Sequence, residues 1–119
     1  MDSILTSIKK LLGIAADYEH FDPDIIMHIN SVFMILQQLG VGPATGFYII
    51  DEDAVWYDFM PYGIQLESVK TYMYMKVRLA FDPPASSAAL QAMERQVSEL
   101  EWRLNAAVDP APTNNVVTN

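Results

Sequence analysis

His20, Asp24 and His28 fall at i, i+4 and i+8, a spacing that would line up three metal ligands on one face of a continuous helix. The intervening "FDPD" argues against that geometry. It reads as a helix start placed after His20, so the two histidines lie at a helix entrance instead of on one face. "DEDAVWYDFMPY" has the acidic opening of a calcium loop. Trp56 stands where the loop needs its turn glycine, and Tyr62 stands where it needs its bidentate glutamate, so a solvated acidic turn is expected. Glu94 and Glu101 form a carboxylate pair on what reads as an exposed helical face, where nothing would raise a pKa for acid–base work. There is no nucleophile elbow, phosphate loop or zinc signature. The expectation is a protein that is not an enzyme and uses no cofactor.

One ordered set of polar groups remains. Lys70, Tyr74 and Arg78 recur at intervals of four within "VKTYMYMKVRLAFDPP" and share a stripe along a helix. A solvated face, a contact with acids of a neighbouring subunit, and a nucleic-acid contact are the three readings. The chain carries a net charge of −8, which opposes tight binding to a phosphate backbone. Tyr and Arg are enriched at protein interfaces, which favours the subunit contact. Trp102 and Arg103 belong with it. Trp102 lies off the apolar seam of its helix, either covering the bundle edge or anchoring a partner.

The elements that position these residues follow from periodicity. In 119 residues, 51% of them hydrophobic, there is room for one modest core. No apolar run reaches the roughly 18–20 residues that span a bilayer. "MDSILTSIKK" does not have the order of a secretory signal, and the absence of cysteine fits a reducing compartment. Ile4, Leu5, Ile8, Leu11 and Leu12 make a first amphipathic helix, capped by Asp2 or Ser3 and ended by Gly13. "FDPD" starts a second, with Asp22 as cap, Pro23 at the first position and Phe21 stapled onto Ile26. Its core stripe is Ile25, Ile29, Val32 or Phe33, Leu36 and Leu39, while Met27, Met34 and Ile35 widen the apolar surface beyond one face.

"GFYII" has strand composition, so a short β-hairpin or loop insertion is expected there, carrying Trp56 outward or onto the bundle. A helix over 64–81 has one face of Leu66, Val69, Met73, Val77 and Ala80 and another of Tyr72, Met75 and Leu79. That is more apolar surface than one core needs, so part of it is expected to meet another copy. "FDPP" then caps and starts a last helix at Asp82 and Pro83, with a seam of Leu90, Met93, Val97, Leu100 and Leu104. The fold class is mainly α: a small four-helix bundle over 1–108 and a flexible, extended C-terminal tail over 109–119, where Pro110 and Pro112 forbid a helix.

"FDPDIIMHINSVFMILQQLGVGP", "VKTYMYMKVRLAFDPP" and "ALQAMERQVSELEWRLN", in this order, resemble the small head–tail connector (adaptor) proteins of tailed bacteriophages and prophages. The likeness covers roughly residues 1–108. It implies a non-catalytic helical protein, typically with about twelve copies closing into a ring beneath the portal. Such a ring extends the DNA channel, lets DNA pass without specific binding, and offers a platform to a stopper or tail-completion protein. The resemblance implies a place in the virion after assembly in the host cytoplasm, with no membrane partner. It assigns Lys70, Tyr74, Arg78, Trp102 and Arg103 to subunit contacts. It assigns Asp109, Asn114, Asn115, Val116 and Val117 of the tail to the portal. The alternative is a small self-associating regulatory or scaffolding module that needs no portal.

Overall fold

The computed structural model of the chain describes residues 2–108. Four helices pack as a bundle: α1 (Ile4–Leu12), α2 (Asp22–Gln38), α4 (Ile64–Phe81) and α5 (Ser87–Val108). A one-turn helix, α3 (Trp56–Phe59), interrupts the connection between α2 and α4. The tail over 109–119 lies outside the described residues. No helix among the described residues is long and apolar enough to cross a membrane.

The helix ends show which local signals act. Ser3 caps α1, its hydroxyl accepting from Thr6 N–H at 3.2 Å, and Gly13 ends it in the left-handed conformation at φ 83°. Two expected caps move. Helix α2 already includes Asp22, with Phe21 at the cap and Pro23 one position inside. The Asp22 carboxylate serves an ion pair instead of the helix end. Phe21 packs edge-on against Phe81 of α4, with centroids 5.3 Å apart. Asp82 does not start α5 but closes α4, its N–H bonding to Arg78 O. Ser86 takes the starting role five residues after Phe81: its hydroxyl accepts from Ala89 N–H and its carbonyl from Leu90 N–H. The two prolines after Asp82 therefore form a linker, because the chain must reverse before α5 can lie back on α4.

Helices α1, α2 and α4 each touch the other two, and α5 packs on α4. Ile4, Leu5 and Ile8 of α1 are buried, as are Ile25, Ile29, Val32, Phe33 and Leu36 of α2. Leu66, Val69, Met73 and Val77 form one buried row of α4, and Tyr72 and Met75 form a second. Tyr72 donates to the Glu101 carboxylate of α5 at 2.7 Å, and Met75 shares a groove with Leu100 and Arg103, so the second row meets α5. Both of these rows are covered within one chain, while Leu79, at the end of the second, is only half-buried and Ala80, at the end of the first, is exposed. The α5 seam faces α4 with graded burial: Val97 and Leu104 are buried, Leu90, Met93 and Leu100 only in part.

The insertion over 39–63 is a loop without a hairpin. Its one β-bridge joins Val55 to Ser3. Ile49 is buried, and Asn30 of α2 holds its backbone from both sides: Ile49 N–H donates to Asn30 Oδ1 at 2.8 Å, and Asn30 Nδ2 donates to Ile49 O at 2.9 Å. A side-chain amide thus does what a partner strand would do. Trp56 is fully buried, its indole N–H donating to Ser7 Oγ at 2.9 Å. Phe33, Phe47 and Phe59 meet one another with centroids 4.8–5.4 Å apart, and the Phe33 centroid lies 6.3 Å from that of Trp56. Gly42 sits at φ 90° against the Phe59 ring, and a Cβ there would collide with it. That contact is why the loop can turn so tightly onto the core.

Candidate functional site

The Lys70, Tyr74 and Arg78 stripe runs along α4 beside α1, and all three side chains are half-buried. Each has a partner in its own chain. Lys70 lies 3.7 Å from Asp2 and 3.8 Å from Glu67, both loose pairs with well exposed carboxylates. Arg78 donates to the Tyr74 hydroxyl at 3.0 Å and to Asp82 O at 3.3 Å. The Tyr74 contact pushes the guanidinium pKa further above its ordinary value, so its charge is fixed. Asp2, Ser3, Lys10, Leu11, Glu67, Lys70 and Tyr74 are among the residues lining an open groove of about 670 Å³ between α1 and α4.

Trp102 and Arg103 are placed differently. Trp102 is 72% exposed and points away from the α5 seam, sharing its outer stripe with Ser98 and Arg95 at i−4 and i−7. It does not cover the bundle edge. Arg103 is exposed on the flank and bonds Glu99 one turn back at 2.6 Å. The fold does not gather Trp102 with the α4 stripe into one site: the stripe borders α1, while Trp102 lies on the far side of α5. The five tail residues Asp109, Asn114, Asn115, Val116 and Val117 lie outside the described residues.

The histidines do not come together as ligands. His20 precedes α2 and lies against Phe21, with centroids 4.9 Å apart, and His28 faces Phe81 at 6.4 Å. Among the described residues no group of three His, Cys, Asp or Glu side chains is placed to hold a metal ion. Residues 51–53 form an exposed turn in which Asp51 Oδ1 accepts from Asp53 N–H at 2.8 Å.

Lys9 and Asn30 carry structural roles that periodicity does not reveal. Lys9 reads as an ordinary cation at a helix C-terminus, yet it is 2% exposed. Its ammonium donates to Ala16 O at 3.1 Å and Tyr18 O at 2.8 Å, and forms an ion pair with Asp22 at 2.8 Å. That fastens the α1–α2 loop to both of its helices. Outside this framework, α2 exposes Met27 and Met34, and the loop exposes Tyr48 and Ile50 on either side of the buried Ile49. The surplus apolar surface of α2 was legible in the sequence. Tyr48 and Ile50 were not, because "GFYII" reads as a strand.

These features are exposed surfaces and an open groove. No curated protein and no solved structure matches the chain. The family model described as "Phage connector protein" matches residues 4–111, all four long helices included. The chain therefore belongs to the phage connector protein family, whose members are structural components of the phage particle.

Proposed function

We propose that this protein is a head–tail adaptor. Copies close into a ring, about twelve of them, against the portal. The ring prolongs the channel through which DNA passes and offers a platform to a stopper or tail-completion protein. The observation that carries this reading is the family match over residues 4–111. The acidic balance supports it, since a wall that DNA must slide past should not displace counterions from phosphate. In this role the protein works by shape and contact, without catalysis, in the virion at the head–tail junction, after assembly in the host cytoplasm. Lys70, Tyr74, Arg78, Trp102 and Arg103 are its proposed subunit contacts. Asp109, Asn114, Asn115, Val116 and Val117 are its proposed contacts with the portal.

Electron microscopy of the purified protein, alone and mixed with portal rings of the same phage, tests the proposal. The expected image is an added layer of density on one face of the portal ring. A protein that forms its final oligomer alone and ignores the portal would instead be a self-associating module, and the adaptor reading would fall.

A further inference from the structure

Helices α1, α2 and α4 form a triangle in which each touches the other two. The solvent face of α2 therefore points away from the side spanned by α1 and α4. Two surfaces occupy these opposed positions. On α2, Met27 and Met34 stand at i−3 and i+4 from Asn30, and Asn30 holds Ile49, whose neighbours are Tyr48 and Ile50. Four large apolar side chains thus surround one fixed point, each between 57% and 74% exposed. Single exposed apolar residues are ordinary on a soluble protein, but a cluster of this kind marks a contact surface. Asp24, Asp51 and Glu52 border it, and none of them is in an ion pair among the described residues.

The opposed surface is the groove between α1 and α4. Leu11, 53% exposed, lies in its lining. Lys10 beside it is exposed and has no ion pair among the described residues, while Lys70 is held loosely by Asp2 and Glu67, two exposed acids that line the same groove. An apolar patch with an acidic border thus stands opposite a groove of mixed charge in which Leu11 is exposed and Lys10 is left without an ion pair among the described residues. A contact between two different surfaces of the same chain repeats from copy to copy, and it closes into a ring when the rotation permits. Two surfaces on opposite sides of the subunit are what such a contact requires.

We infer that the Met27, Met34, Tyr48 and Ile50 ridge of one copy seats in the Leu11, Lys10 and Lys70 groove of the next, as the head-to-tail contact of the oligomer. This rests on the adaptor reading for the ring itself, and it adds which surfaces meet. The chain has no cysteine, so introduced thiols are unique. Leu11→Cys and Met34→Cys are to be made singly and together, assembled with portal rings, and treated with a short bis-maleimide. One thiol per copy can link at most two copies. The double variant is expected to give a ladder of trimers and larger species, and the single variants none beyond dimers. Rings of the double variant that yield no species above a dimer would overturn the inference and leave the adaptor reading standing. Absence of rings from the unmodified protein would overturn both. A second variant, Met34→Glu with Tyr48→Glu, alters only exposed positions. It is expected to keep the melting temperature of the isolated chain and to lose ring formation; rings formed as by the unmodified protein would also refute the proposed contact.

Discussion

At the scale of single residues, the least expected feature is a buried lysine. The Lys9 ammonium has three donors, and two carbonyls and a carboxylate lie within reach of them. Removing it leaves those acceptors behind. Lys9→Ala should destabilise the fold by roughly 3–5 kcal/mol, the usual cost of breaking such a pair from one side. Asp22→Asn keeps both carbonyl bonds, but it also breaks the pair from one side and leaves the ammonium, 2% exposed, without its counter-charge, so it should cost a similar amount. Urea titrations of the two variants would check this, and a midpoint for Asp22→Asn close to that of the unmodified protein would mean that the carbonyl clamp, not the ion pair, dominates. Tyr72 supplies the pH dependence. Burial first, and then its bond to the Glu101 carboxylate, push the phenol pKa well above its ordinary value of 10.0. A group whose pKa is raised by folding stabilises fully below the unfolded pKa and loses that contribution as pH rises past it. The protein should therefore weaken above about pH 10, and Tyr72→Phe should flatten that loss. Unfolding curves at pH 8 and pH 11 for both proteins, differing by the same amount, would exclude Tyr72 as the cause.

At the scale of elements, the loop over 39–63 shows how a segment can be ordered without regular structure. It is held at three kinds of point: the Asn30 clamp on Ile49, the indole bond of Trp56 to Ser7, and aromatic packing around Phe33. The clamp is the member of this set that holds the loop by its backbone. Asn30→Ala would leave the buried Ile49 backbone without either partner, at a cost of about 1–3 kcal/mol per unsatisfied group. The loss should be local. Amide hydrogen exchange at Ile49 and its neighbours is expected to accelerate, while the amides of α4 stay protected. Uniform acceleration throughout the chain would show that the loop is an integral part of the core's cooperative unit.

At the scale of the whole molecule, the helical domain and the tail can be separated experimentally. Truncation before Asp109 removes residues that include the proposed portal contacts Asn114, Asn115, Val116 and Val117. The buried residues of the domain all lie between Ile4 and Leu104, so the truncated chain should melt within a degree or two of the intact one. It should nevertheless fail to stay on the portal, and particles assembled with it should lose DNA or lack tails. Normal attachment and infectious particles from the truncated protein would remove the tail from the proposed site. A large fall in melting temperature would mean instead that the tail is part of the fold.

The sequence by itself determined four long helices, the breaks at Gly13, Gly40 and the double proline, and membership of a recognisable family. These depend on neighbours in the chain: a 3.6-residue period, a left-handed glycine and a ring that blocks an N–H each act locally. Tertiary structure decided what each apolar row covers. Both rows of Tyr72 and Met73 are equally apolar in the sequence, and only the approach of α5 on one side and of α1 and α2 on the other shows that the chain buries both. It also decided the roles of Asp22 and Asp82, which carry the same local cap signal. Lys9 draws the first into an ion pair, and the reversal of the chain turns the second into the end of α4. "GFYII" has the composition of a strand, yet a strand needs a partner edge, and the one offered here is the side chain of Asn30, nineteen residues earlier. The opposition of the α2 ridge to the α1–α4 groove depends on all three helices at once, which no single stretch of sequence contains.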